Sequence, residues 1–430
     1  MQFYNVHSHT FTMKNAPGHF LELYLPKFVA KGIDSITDVK VGAAIMQLLL
    51  TRSGNWGKRY ASFLKIGKSA DQLSVFETMM QQYDDPTMKF TALTMFMEKC
   101  GADISESGFE GQLEEILLIK KQYPDNLLIF LGIDPRWKFS GEELKETVER
   151  YFETRLKINS SRSVYPFVGL KLYPSMGFYA FDERLKKTFE WAAENDVPVL
   201  SHCNYLGGIF NNDTSYIKGN LNPFDPYSGK KYSDNFPGIP PPEYKAKNNF
   251  FKKILGTNKN DANLNTCSYF LEPVSYKAII EHFHNKPGSK PLKICLAHFG
   301  GDTHIIAEHT GKKTGKLYGM LQENWCSQIK SLLKFPGVYT DISYALSNPK
   351  IHDPVFKELN EPAYGERILF GTDFFLTERE LPEKTVYNVF KEKAINKALS
   401  NFNDISAWQQ IASGNTQKFL QSKYYNGKVI

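Results

Sequence analysis

Short runs of aliphatic and β-branched residues recur along the chain. Each is followed by a polar loop and then by a stretch whose apolar positions repeat every three to four residues. Eight runs, at 3–7, 90–95, 127–133, 168–172, 197–202, 293–298, 338–342 and 368–373, have the length and composition of strands. Helical spacing fills 111–122, 142–156, 182–195, 273–284, 322–335 and 354–364 between them. Strands that alternate with helices predict a parallel sheet, and right-handed crossovers close eight of them into an α/β fold of the (β/α)8 TIM barrel type.

Two stretches exceed the usual length of barrel loops. Residues 10–89 follow the first strand and carry helix-like patterns at 36–50 and 73–83. Residues 204–271 follow the fifth and are rich in Asn, Pro, Gly, Tyr and Lys, including the tract PGIPPPEY. Loops this long in a compact fold are functional or disordered. Both leave the C-terminal ends of strands, so both are expected over the barrel mouth, where active sites form. The second is too polar and proline-rich to build its own core and reads as a lid. Residues 1–430 are therefore expected to form a single barrel domain with two insertions on the C-terminal face of the strands.

Composition narrows the function classes. The 430 residues are 42% hydrophobic and 14% aromatic, ample for a large core, and the net charge of +6 comes from 52 basic and 46 acidic residues with the signs interspersed. Lysine-rich patches at 245–253 and 312–316 read as solvated loop faces, short of the long basic run of a nucleic-acid tail, so no nucleic-acid partner is expected. Cys100, Cys203, Cys267, Cys295 and Cys326 lie far apart without a CxxC pair, which argues against a disulfide framework and fits a reducing compartment. The start, MQFYNVHSHT, lacks the basic and apolar regions of a signal peptide, and the longest apolar run, near 41–50, is too short for a bilayer. A cytoplasmic protein without a membrane partner is expected. No GxxxxGK[ST] loop and no strand-linked GxGxxG points to nucleotide chemistry.

The chemistry gathers at the predicted strand ends. His7 and His9 lie at and just beyond the end of the first strand, and Lys171 near the end of the fourth (VGLKLYP). His202 ends the fifth (PVLSHCN), His298 the sixth (ICLAHFGG) and Asp373 the eighth (ILFGTDFF). In a closed parallel barrel all these ends converge on one rim, so six residues distant in sequence face a common point. Imidazoles and a carboxylate suit Zn²⁺ or a similar divalent ion. The chain also supplies a control for its HxH pair. His282 and His284 fall in a helical pattern, where positions i and i+2 diverge, whereas on a strand i and i+2 share a side. Arg136, in GIDPRW at the end of the third strand, shares the rim and either holds an anionic substrate group or pairs with Asp134. Tyr173 and Tyr205 follow ligand-bearing strands and are candidates to line the substrate pocket. Cys203 should alternate to the outer side of its strand as packing, and His304, His309 and His352 read as surface residues.

The order HxH, strand-end Lys, two strand-end His with HFGG, and GTD resembles the amidohydrolase superfamily. The DPRW, GLKLYP, SHC, LAHFGG and LFGTDFF segments resemble its amidohydrolase 2 branch, from residue 1 to a closing GNTQKFL helix and interrupted by the two insertions. The resemblance implies that His7, His9 and His202 hold a metal and that Asp373 ligates it or takes a proton from the attacking water. It implies that His298 completes a second metal site or polarises the substrate. Lys171 would be carboxylated and bridging in a two-ion site, or a plain side chain beside one ion, free to bind a substrate carboxylate. The implied function is that of a metal-dependent hydrolase that cleaves an amide, lactone or ester bond of a small molecule, with Zn²⁺ as the expected cofactor. Relatives that decarboxylate or hydrate small organic acids with the same ligands supply the alternative, a lyase in which Arg136 and Lys171 cradle the carboxylate. A homodimer is left open.

Overall fold

The computed structural model describes residues 1–17, 62–63, 65–100, 103–205, 227, 229, 267–286, 288, 290–314, 316–317, 320–321 and 323–425. At its centre eight strands lie side by side in chain order: β1 (Tyr4–Ser8), β2 (Lys89–Leu93), β3 (Leu127–Ile133), β4 (Phe167–Leu172), β5 (Val199–Ser201), β6 (Ile294–Leu296), β7 (Val338–Asp341) and β8 (Ile368–Leu369). Every neighbouring pair is parallel. The chain beyond β8 returns to β1. Val6 N–H donates to Phe370 O at 3.0 Å, Asp373 N–H donates to His7 O at 2.8 Å, and Ser8 bridges Phe374. These bonds close the sheet on itself as a TIM barrel, and each of the eight expected runs supplies one strand.

Closure demands a close approach at one glycine. A Cβ on Gly371 would lie 2.7 Å from His7 Cβ, so only glycine lets the ends of β1 and β8 lie side by side. Around the barrel run α1 (Gln72–Met80), α2 (Gly108–Gln122), α3 (Gly141–Glu153), α4 (Glu183–Glu194), α5 (Lys277–Asn285), α6 (Asp302–Thr310), α7 (Trp325–Leu332), α8 (His352–Leu359) and α9 (Glu383–Ile395). Several start where a polar side chain takes a free backbone N–H. Asp71 accepts from Ser74 N at 2.8 Å, Ser140 from Glu143 N at 3.2 Å and Asn324 from Cys326 N at 2.8 Å. The Asn324 cap sets the start of α7 three residues after the expected one.

Side-chain alternation sorts the core into two layers. Leu128 and Phe130 of β3 point into the barrel with Tyr4, Val6, Leu200, Cys295, Tyr339 and Leu369, while Leu127, Ile129 and Leu131 face the helices. Both faces of β3 are covered, which is why all seven of its residues are buried. The final helix, α10 (Asn415–Leu420), brings Phe419 and Leu420 into the interior layer, with the Phe419 ring 5.0 Å from Tyr339 and 6.3 Å from Phe130.

In the first insertion the expected helix at 73–83 is α1, and Phe11 and Phe63 pack on Phe375, at 5.4 and 5.5 Å between ring centroids. The helix-like pattern at 36–50 and most of 204–271, including the expected lid, lie outside the described residues. All five cysteines are free and buried. Among the described residues no helix is long and apolar enough to cross a membrane.

Candidate metal centre

The C-terminal rim of the barrel gathers His7, His9, Lys171, His202, His298 and Asp373, each at most 8% exposed. His7 Nδ1 lies 3.0 Å from Asp341 Oδ2, and His9 Nδ1 lies 3.2 Å from Leu93 O. Both partners can only accept, so both Nδ1 atoms carry the proton and both Nε2 atoms present lone pairs. Those lone pairs face Asp373 Oδ1, at 3.5 Å from His7 and 3.2 Å from His9. On the other side, His298 Nδ1 donates to Ser343 O at 3.0 Å, which turns its Nε2 inward to within 2.8 Å of His202 Nδ1. Ser343 Oγ donates to Asp341 Oδ1 and lies 2.9 Å from the Nδ1 atoms of His7 and His298.

This arrangement leaves buried polar atoms without hydrogen-bond partners among the described residues: His7 Nε2, His202 Nε2, Asp373 Oδ1 and Lys171 Nζ. A buried lone pair opposite a carboxylate oxygen is unfavourable unless a cation lies between them. The ligand atoms of His7, His298 and Asp373 lie within 4.8 Å of one another. Nitrogen and carboxylate donors at that spacing, with histidines anchored from behind through Nδ1, fit a divalent cation. The proposed ligands His9 and His202 adjoin this trio through Asp373 and His298.

The electrostatics agree. Burial, reinforced by Lys171, lowers His7 to about 4 against the pull of Asp341 and Asp373. Burial and the neighbouring cations put His202 well below the ordinary imidazole range, and burial lowers His298 as well. All three are neutral at pH 7, the form a metal ligand requires. Burial would raise Asp373, but the imidazoles of His9, His7 and His298 around it outweigh that effect and hold the carboxyl below its usual value. Asp341 is held down in the same way by His7, His298 and Ser343. Burial pushes Lys171 down to about 8 despite Asp373 and Asp341. The backbone is constrained too. His298 and Asp373 both adopt positive φ, 70° and 64°, a conformation uncommon for non-glycine residues and concentrated at functional sites.

The remaining candidates separate. Tyr173 packs its ring against His202 at 4.5 Å, with Lys171 Nζ 5.7 Å from the ring centre. Tyr205 packs instead on His304 and Trp325, at 5.0 and 5.8 Å. Arg136 takes the salt-bridge alternative. Its Nε and Nη2 fork onto Asp134 at 2.8 and 2.6 Å, and Nη2 also donates to Met176 O at 3.2 Å. Cys203 is buried on the outer face of its strand, with Sγ 3.4 Å from Leu271 O. His282 and His284 lie on α5, away from the cluster. His304 and His352 are corrections, since both are buried rather than on the surface. His304 lies on the inward side of α6 and accepts the Trp325 N–H at 2.9 Å; His352 starts α8 with its ring 5.3 Å from Phe390. His309 is partly buried and pairs with Glu358 at 2.9 Å.

Sequence reasoning missed Asp341 and Ser343. Asp341 is the last residue of β7, in the motif VYTDIS, and the rule that picked out the other strand ends would have found it. Ser343 carries no such signal; the turn after β7 is what brings it under both imidazoles.

No curated protein matches the chain. Among solved structures it is similar to a 5-carboxyvanillate decarboxylase from Novosphingobium aromaticivorans with bound manganese, at 13% identity, covering 97% of each chain with a TM-score of 0.45. It is also similar to 4-oxalomesaconate hydratase from Rhodopseudomonas palustris, at 13% identity, covering 97% of this chain and 95% of that one with a TM-score of 0.44. A third is an amidohydrolase from Burkholderia multivorans with bound zinc, at 11% identity, covering 80% and 86% with a TM-score of 0.42. The Amidohydrolase family model (Amidohydro_2) matches residues 71–419, which take in β2 to β8 with Lys171, His202, His298, Asp341 and Asp373, and begin after the His7/His9 pair. Over that span of the barrel, the chain belongs to the amidohydrolase family.

Proposed function

We propose that the chain is a metal-dependent hydrolase that uses water to open an amide, lactone or ester bond of a small molecule. His7, His9, His202 and Asp373 would hold a divalent ion, zinc before manganese or iron, with His298 beside them. When bound, such an ion acidifies water and offsets negative charge that develops on an attacked carbonyl oxygen. The observation that carries the reading is Asp373 Oδ1, a buried carboxylate oxygen with no hydrogen-bond donor among the described residues, flanked by two imidazole nitrogens and held in its ionised form. A carboxylate so placed can take a proton from the attacking water and return it to the leaving group. His298, held by Ser343 O and Asp341, would orient the carbonyl. Tyr173 would line the pocket beside His202.

One observation favours the lyase reading. Lys171 Nζ is a buried amine without a hydrogen-bond partner among the described residues, and a substrate carboxylate would supply one. Against it, Arg136 is already engaged by Asp134, so half of the expected carboxylate cradle is occupied. Incubating the metal-loaded protein with lactones, N-acyl compounds and unsaturated carboxylic acids separates the two. Acid production without CO₂ is expected; CO₂ release with no new carboxylate would replace the hydrolase by a decarboxylase.

A further inference from the structure

The opposite end of the barrel holds a second concentration of charge. A cavity of about 770 Å³ opens where β2, β3 and β4 begin, lined by Lys89, Leu128 and Val168 from those strands and roofed by Tyr424 and Tyr425. Its charged lining comprises Lys89, Lys120, Arg155, Arg162 and Lys423 against one carboxylate, Asp125. Asp125 is already taken by Arg162 through two bonds of 2.5 and 3.0 Å, and Lys423 pairs with Glu153 at 2.6 Å.

Three cations are left over. Lys89 Nζ donates to Tyr425 OH at 3.1 Å, and Lys120 Nζ donates to the carbonyls of Pro124 and Leu127 at 2.8 and 2.5 Å. The Arg155 guanidinium lies 4.4 Å over the Tyr165 ring and donates to its hydroxyl at 3.2 Å. Among the described residues none of the three is paired with a carboxylate, although Lys89 and Lys120 are only 5% and 4% exposed. Burying ammonium groups without a counter-ion is costly, and two adjacent ones repel. The cost registers on the groups themselves, since burial and the Lys89 charge push Lys120 down to about 7 and burial also lowers Lys89, in both cases against the pull of Asp125, which Arg162 already engages. An anion in the cavity would relieve both.

The residue types narrow its chemistry. A carboxylate is best held by the planar fork of arginine, but the forked guanidinium here, Arg162, already holds Asp125. Two point-charge ammoniums suit a multiply charged tetrahedral oxyanion, and the volume lies within the range of small-molecule sites. We propose that this cavity binds a small phosphate-bearing molecule, held by Lys89, Lys120 and Arg155, at the end of the barrel away from the metal centre.

Pyrophosphate is a suitable probe, titrated calorimetrically into the full-length, metal-loaded protein at fixed ionic strength. Binding is expected, weakened at least tenfold in Lys89→Met and in Arg155→Ala. Arg155 is exposed, so its variant should fold even if a lysine variant does not. Melting of the ligand-free Lys89→Met protein should be unchanged or higher. Citrate, of comparable charge but built from carboxylates, should bind at least tenfold more weakly than pyrophosphate. No binding to the parent protein would overturn the proposal, as would equal affinity in parent and variants, which would place the anion elsewhere. Equal affinity for citrate would overturn the phosphate assignment.

Discussion

His7 has two working nitrogens, and the division of labour between them governs what its neighbours do. Nδ1 is held by Asp341, and Nε2 is left for a ligand. Replacing His7, His9 or His202 by Ala should therefore strip most of the metal from purified protein, as read by elemental analysis; near-normal content in all three would refute the ligand assignment. Asp373→Asn should abolish turnover while keeping a measurable share of the metal, because the amide oxygen can still ligate but cannot accept a proton. Asp341 touches His7 and Ser343 rather than the ligand position, so Asp341→Asn tests support from behind. Loss of such a partner typically weakens metal affinity by about 10–100-fold, measurable by competition with a chelator. Unchanged affinity would make Asp341 a structural residue only.

At the scale of elements, the joint between β1 and β8 carries the site. Behind it lies a buried polar cluster. Asn5 Nδ2 donates to Tyr83 OH and to Thr372 Oγ1, both at 2.8 Å, and Tyr83 and Thr372 both donate to Glu383 at the start of α9. Burial, aided by the Glu378 charge, outweighs these donors and pushes Glu383 up to about 7 from an ordinary 4.5. A carboxyl with a raised folded-state pKa binds more protons when folded, so stability falls as pH rises from about 4.5 through about 7. Thermal melts across that window should show the decline in the parent protein, and Glu383→Gln should flatten it. An identical slope in the variant would mean that Glu383 does not titrate there. Gly371→Ala belongs to the same joint. Its added carbon would meet His7 Cβ at 2.7 Å, so it should lower both the melting temperature and the metal content. The helix α7 shows how far element boundaries were legible. Its apolar spacing reads 322–335, whereas the structure gives Trp325–Leu332, because Asn324 caps the first turn and local bonds outrank periodicity at helix ends.

At the scale of the whole molecule, the two ends of the barrel do different work. The C-terminal rim gathers the proposed metal ligands and the opposite end is stopped by α10. Phe419 is fully buried between Tyr339 and Phe130, so Phe419→Ala should cost about 3–5 kcal/mol in denaturant unfolding. Metal content of the folded fraction should be unchanged, since the proposed ligands sit at the other rim. Loss of metal at full stability would contradict that division.

Strand number, strand order and the rim on which chemistry gathers follow from local information. A parallel β/α series has few ways to close, and in each of them the strand ends converge. That is why His7, Lys171, His202, His298 and Asp373 could be picked out from residues far apart in the chain. What the chain could not reveal by itself depends on distances across the closed barrel. Only there does Asp341 of β7 reach His7 of β1, Arg136 turn to Asp134, and His304 and His352 become buried instead of exposed. Burial is a property of the packed molecule, and it is burial that makes the histidines neutral, leaves Lys171 Nζ without a hydrogen-bond partner among the described residues and lifts Glu383. Periodicity along a chain says which side a residue takes; it carries no information about how much water remains when the sides meet.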